Sequence, residues 1–292
     1  MMNNVSNLPK ATLKEYGYHE HKVLKTIWKV LKYILVAFSI FMLYASIIVI
    51  AIQSFNSSSS TTEWGGFTFD NYLTMFDKRS LTTSIKNTFM LSIIATLIAG
   101  VLGTFIAIGM FYLPPKIKSK IMLLNNIPLL NADIVTGISL MLIFSLFLPL
   151  NRQLFGFGTI LLAHVYFILP YIILSVLPKM GEIDPNLMDA SMDLGVRPFK
   201  SVLKVIIPAV SGGIFSGVIL AFTISFEDFV VGYFTTGNGF NTLSIWIYSS
   251  IGRKSLFPGV YAFSTALTLV SMIMVSVYAI IKKGKNKKKK NA

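Results

Sequence analysis

The run TFMLSIIATLIAGVLGTFIAIGMFYL, residues 88–113, carries no charged side chain. About 20 apolar residues at ~1.5 Å each cross the ~30 Å hydrocarbon core of a bilayer as a helix, and this run exceeds that length. A backbone in lipid must satisfy its own amides, which leaves helices or closed barrels as the spanning structures. Working outward, five more stretches of similar character lie at 33–53, 121–150 (with polar interruptions), 158–177, 209–225 and 259–281. The expectation is an all-α integral membrane protein with six transmembrane helices.

Composition agrees. The chain is 54% hydrophobic and 13% charged, against roughly 25% charged in soluble domains. That leaves one continuous bundle, residues 33–281, with an N-terminal arm at 1–32, a basic tail at 282–292 and no separate soluble domain. The net charge of +14 does not indicate nucleic acid, because the lysines cluster at the ends of apolar spans. Such lysines mark cytoplasmic topology and attract anionic lipid. With the N-terminus inside, the cytoplasmic segments hold 20 Lys and Arg and the outer segments 6. Both termini are therefore expected in the cytoplasm, which six crossings also require. The first span reads as an uncleaved anchor, since its apolar run exceeds the 7–15 residues of a signal-peptide core. The absence of cysteine excludes disulfides and zinc-thiolate sites.

The cytoplasmic loop 178–208 is the most informative segment. Asp184 suits a helix N-cap and Pro185 the first helical position. Leu187, Ala190, Ser191 and Leu194 then share one small apolar face, with Asp189 and Asp193 on another. Gly195 is placed to end the helix in a left-handed conformation, and a second short helix is expected from Pro198 to about Pro208. The pattern fits insertion into a groove on a soluble partner, and equally an amphipathic helix lying on the membrane surface.

Asp189-Ala190-Ser191, three residues, Gly195, nine residues, then Val205-Ile206-Ile207-Pro208 resembles the loop signature of permeases in binding-protein-dependent ABC importers. That signature reads E-A-A, three residues, G, nine residues, I-x-L-P. Here Asp replaces Glu, Ser the second Ala, Val the Ile and Ile the Leu. The resemblance implies a type I ABC importer fold, like the maltose and methionine permeases, with this loop as the coupling helix that docks on an ATPase subunit. Asn131-Ala132-Asp133-Ile134-Val135, the segment from His164 to Pro170, Ser225-Phe226-Glu227-Asp228-Phe229-Val230-Val231 and Phe234-Thr235-Thr236-Gly237 are similar to segments of the second, C-type permeases of spermidine/putrescine importers. So is Ser54-Phe55-Asn56-Ser57-Ser58 followed by Trp64-Gly65-Gly66-Phe67. Partners implied are a second permease, two ATPase subunits holding ATP and magnesium, an external binding protein, and a polyamine. The implied location is the bacterial inner membrane.

Three of the twelve acidic residues, Asp133, Glu227 and Asp228, lie within or at the ends of apolar spans. A carboxylate there costs at least about 2.5 kcal/mol and so faces a cavity or a partner. Lining a cation pathway is one reading; pairing at interfaces is the other. Ser225 and Trp64 join the pathway candidates through the resemblance, although Trp64 also fits a membrane anchor. His164 reads as a packing or hydrogen-bonding residue, and Asn125, Asn126 and Asn131 as helix-to-helix bonding groups. Gly100, Gly103 and Gly109 read as points of close helix approach.

No G-x-x-x-x-G-K-[ST] loop occurs, so the chain lacks the phosphate cradle of an ATPase. It reads as a non-catalytic subunit that binds no cofactor of its own. A secondary carrier is the rival transporter class, but such chains show internal repeats and the loop signature would be unexplained. A non-transporting scaffold is the other rival.

Overall fold

The computed structural model describes residues 22–60, 62–147, 155–237, 239–251 and 257–290. Most of the N-terminal arm, the end of the expected third span, and the outer residues Arg152, Arg253 and Lys254 lie outside the described residues. In order, the helices are α1 (Lys22–Gln53), α2 (Asp70–Thr74), α3 (Arg79–Phe111), α4 (Pro115–Leu130), α5 (Asp133–Ser145), α6 (Phe157–Met180), α7 (Leu187–Asp193), α8 (Pro198–Ser201), α9 (Ile207–Ala209), α10 (Ser211–Glu227), α11 (Val230–Thr235), α12 (Leu243–Ile251) and α13 (Gly259–Lys290). A π-helical turn, Val202–Ile206, joins α8 to α9.

Among the described residues two compact units emerge, one drawn from the ranges 1–57, 65–72 and 261–292, the other from 58–64 and 73–260. In the first, α1 is apolar on every side and its spanning stretch is wholly unburied, as suits a helix that meets lipid all round. Beyond its end, Asn56 and Phe67 form an isolated antiparallel bridge. The Asn71 amide donates to the Ser54 and Asn56 carbonyls at 2.9 and 2.8 Å. Phe55 stacks on Phe67, with centroids 5.2 Å apart.

In the second unit, α3, α6 and α10 pack together around Ala95, Ala99, Ile168, Ile172 and Val176. Small residues set the spacing. A Cβ on Gly103 would lie 2.8 Å from Ile172 Cγ2, and one on Gly217 would lie 3.2 Å from the Ile172 Cα. Helices without a hydrophobic driving force between them in lipid gain from such close approach. Gly100 also faces a neighbour, Val218, whereas Gly109 meets nothing within 4 Å, so the expectation fails for Gly109.

The expected third span is not a single rod: it is α4 and α5, bent by 106° at Asn131–Ala132. The expected fifth is α10, and the short helical segment expected before it, 198–209, meets it at a 75° bend at Val210. Each break has a local cause. Pro128 lacks an amide hydrogen near the end of α4, while Pro208 and the pair Gly212-Gly213 flank Val210. Among the described residues, three helices are long and apolar enough to cross a membrane, or up to five if each bent pair counts as one crossing. The expected sixth begins as the apolar stretch Gly259–Ile273 of α13.

Candidate functional site

Two helix boundaries, the start of α5 and the end of α10, carry the intramembrane acids. At the first, Ala132 is extended and α5 opens with Asp133. At the far end of α10, Glu227 is the last helical residue and Asp228 is extended before α11 begins. Gly137 lets α5 approach α11 closely, since a Cβ there would lie 3.3 Å from the Val230 carbonyl oxygen. Asp133, Glu227 and Asp228 consequently line one cavity of about 320 Å³, together with Pro128, Thr136 and Tyr171. No lysine, arginine or histidine lines it among the described residues. Asp133 and Glu227 are exposed, whereas the Asp228 side chain is only 8% exposed.

Asp228 is held differently. Its carboxylate accepts N–H bonds from Gly232 at 2.8 Å and Val231 at 3.3 Å, capping the first turn of α11. Ser225 does not line the cavity. It is 2% exposed and its hydroxyl lies 2.8 Å from His164 Nδ1. Trp64 is 55% exposed and is not part of the cavity wall. Thr136 and Tyr171 belong to the wall without any sequence signal that singled them out. Asn125 reaches only its neighbour Asn126, at 3.4 Å, a contact along one helix rather than between two.

The loop 178–208 holds the other set of candidate residues. Asn186, not Asp184, is the N-cap position of α7; Asp184 instead accepts the Asn186 N–H at 2.9 Å, closing the turn before it. Gly195 has φ +82°, as its place after the helix requires. The expected apolar face is split. Leu187 and Met188 pack on the core, and the buried Ser191 hydroxyl pairs with that of Ser201. Asp189, Ala190, Asp193 and Leu194 form the exposed side, Leu194 being 86% exposed. The reason is local packing: a seven-residue helix can turn only one side inward, and the larger side chains Leu187 and Met188 win it from Ala190. Pro208 is exposed beside the Val210 bend.

Residues 102–287 match the family described as binding-protein-dependent transport system inner membrane component. The spermidine/putrescine transport system permease protein PotC of Escherichia coli K12 is 30% identical over 245 residues, covering 84% of this chain and 91% of that protein. The E. coli K12 putrescine transport system permease protein PotI is 30% identical over 255 residues, covering 84% and 87%. A PotC homolog of Mycoplasma genitalium is 29% identical over 259 residues, covering 85% and 89%. Among solved structures, a bacterial ABC transporter involved in import of the acidic polysaccharide alginate superposes with a TM-score of 0.61 at 14% identity, covering 88% of this chain and 96% of that one. At that identity the likeness speaks to fold alone. Fold, loop signature and family match agree: the chain belongs to the inner-membrane permease components of binding-protein-dependent transport systems.

Proposed function

We propose that this chain forms half of a polyamine translocation pathway, pairing with a second permease and driven by two separate ATPase subunits. The observation that carries the reading is the cavity in which three carboxylates, from the start of α5 and the end of α10, converge with no basic side chain among its described walls. A polyamine is a flexible chain of ammonium groups that sheds hydration on leaving water. Asp133 and Glu227 offer it charge at a depth where water is scarce, offsetting part of that loss. The same lining disfavours an anion. The similarity to permeases named for spermidine and putrescine supports the substrate class.

Energy enters through the loop. The exposed side of α7, with Asp189, Ala190, Asp193 and Leu194, is the surface an ATPase subunit grips. ATP and magnesium belong to that partner, because this sequence has no phosphate-binding loop. Substrate arrives from an external binding protein, both termini face the cytoplasm, and the two bundles alternate access. Because α7 leads through Gly195, α8 and the π turn into the bend before α10, a displacement at the loop reaches the helix that carries Glu227.

The test is uptake of radiolabelled spermidine and putrescine in cells with and without this chain, complemented by Asp133→Asn and Glu227→Gln. Loss of uptake on deletion, and its failure to return with either variant, supports the reading. Uptake unaffected by deletion removes the polyamine assignment and leaves a permease for another small solute.

A further inference from the structure

Behind the cavity wall, α6, α10 and α11 meet at a polar hub that the passage of a cation does not by itself require. Helix α11 has six residues, and starting a helix inside an apolar bundle leaves amide hydrogens that lipid cannot satisfy. Asp228 satisfies two of them, at Val231 and Gly232. On α6, His164 is 1% exposed, with Nδ1 bound to the Ser225 hydroxyl at 2.8 Å. Its Nε2 lies 3.5 Å from Asp228 Oδ2 and makes no hydrogen bond among the described residues.

A buried ring nitrogen without a partner is costly, and a carboxylate oxygen just beyond ordinary hydrogen-bond length is the nearest remedy. The Ser225 hydroxyl, donating to Nδ1, puts the ring proton on Nε2, facing Asp228; the other tautomer would set a lone pair against the carboxylate. Gly232 leaves space for this meeting: a Cβ there would lie 3.1 Å from Asp228 Oδ2 and 3.7 Å from His164 Nε2. A small shift of α11 toward α6 closes the gap.

We infer that His164 is a positioning residue: anchored by Ser225, it latches Asp228 and so holds the first turn of α11 at the cavity wall. The three acids then divide the work. Asp133 and Glu227 face the cation, while Asp228 fixes the wall. This division rests on the polyamine reading; the latch itself does not.

The chain has no cysteine, so a single Tyr233→Cys on the exposed side of α11, where Tyr233 is 46% exposed, is the one thiol of this chain, and label in its own gel band reports on that helix. In membranes holding the complete importer, the rate of labelling by a soluble maleimide is compared for His164, His164→Ala and His164→Gln. Gln retains an N–H donor for Asp228 and a carbonyl acceptor for Ser225. Loss of the latch in His164→Ala is expected to raise labelling about fivefold, the effect of one net hydrogen bond. Maximal spermidine uptake should fall while KM holds, and His164→Gln should recover most of both. Unchanged labelling in His164→Ala overturns the latch, as does a His164→Gln variant no better than Ala. A raised KM with constant labelling also overturns it, by making His164 a substrate contact. If His164→Ala does not accumulate, Ser225→Ala removes a single hydroxyl and should shift labelling the same way by less; no shift overturns the proposal. Labelling needs no substrate, so uptake that proves independent of this chain sinks the polyamine reading and leaves the latch to be judged by the thiol alone.

Discussion

The loop 178–208 and the acidic cavity are built on opposite plans. In the loop, the residues that carry the site are consecutive: α7, its glycine stop, and the proline that starts α8. In the cavity, Asp133 and Glu227 come from distant parts of the chain and meet because one span breaks just before Asp133, α10 ends at Glu227 and one glycine admits close contact between α5 and α11. One site is written locally and the other exists only after folding. The functional consequence is a separation of effects. Changes in the cavity should act on substrate recognition, and changes in the loop on turnover and partner binding.

Charge reversal at the cavity gives the largest expected effect and the sharpest attempt to break that separation. A cation within about 5 Å of an ammonium group, at an effective dielectric of about 20, is opposed by roughly 3 kcal/mol, or about a hundredfold. Glu227→Lys or Asp133→Lys should therefore reduce spermidine uptake by about that factor, while the ATPase subunit still co-purifies in normal amount. Retained uptake, or loss of the ATPase from the complex, would show that the two sites are not separable as drawn.

Next in size is Gly195→Pro. Proline holds φ near −65°, against +82° here, and it deletes the N–H that donates to the Met192 carbonyl at 2.8 Å. The turn that presents Leu194 must rebuild. Maximal uptake should drop about tenfold or more, with KM unchanged in the activity that remains. A raised KM instead would mean that the loop reaches the cavity in the resting state.

A packing change supplies a control that belongs to neither site. Gly103→Val places a branched side chain where Ile172 already stands at 2.8 Å. Overpacking of this kind costs about 1–3 kcal/mol, so less protein should accumulate in the membrane. Uptake per molecule, with both KM and ATPase binding, should stay near the parent value. A changed KM at unchanged abundance would place the α3–α6 contact in the pathway rather than in the scaffold.

The difference in plan also explains what the sequence discloses. Apolar runs disclose the spans because lipid enforces them residue by residue. Gly195 and Pro198 disclose the loop because helix ends need particular backbone angles, and both take the places their residue types demand. The 106° break at Asn131–Ala132 stays hidden because an apolar run looks the same whether it is straight or bent, and Pro128 is a clue without direction; the boundary near Val210 is legible, since Pro208 ends the short helix before the fifth span. Asp133, Glu227 and Asp228 are conspicuous as acids in apolar surroundings, yet their meeting in one cavity depends on how α5, α10 and α11 come together. Ser225 shows the limit most plainly. The family resemblance makes Ser225 a lining residue, but on α10 it falls on the inner side and meets His164. The face exposed by α7 was misread for a related reason, since a seven-residue helix has too few positions for periodicity to say which side packs inward.

That corrected face leads to the smallest effect. Asp189 and Asp193 stand on the exposed side of α7 with Ala190 and Leu194, so the proposed docking of Leu194 in an ATPase groove would bring two carboxylates with it. Charges at the rim of an interface are well hydrated and contribute little affinity, though they steer encounter. The double variant Asp189→Asn/Asp193→Asn should weaken ATPase binding only about threefold at low salt. The difference should fade toward physiological ionic strength, where the screening length is about 8 Å. Leu194→Asp, which places a charge where an apolar side chain would be buried, should weaken binding more and should do so at any salt concentration. Titration of the purified ATPase subunit onto the permease in nanodiscs, at two ionic strengths, measures both. If neutralising the aspartates proves as damaging as Leu194→Asp and insensitive to salt, then the carboxylates are buried in the docked state. The groove would then have to supply paired cations, and α7 would be recognised by its charge rather than by its apolar residues.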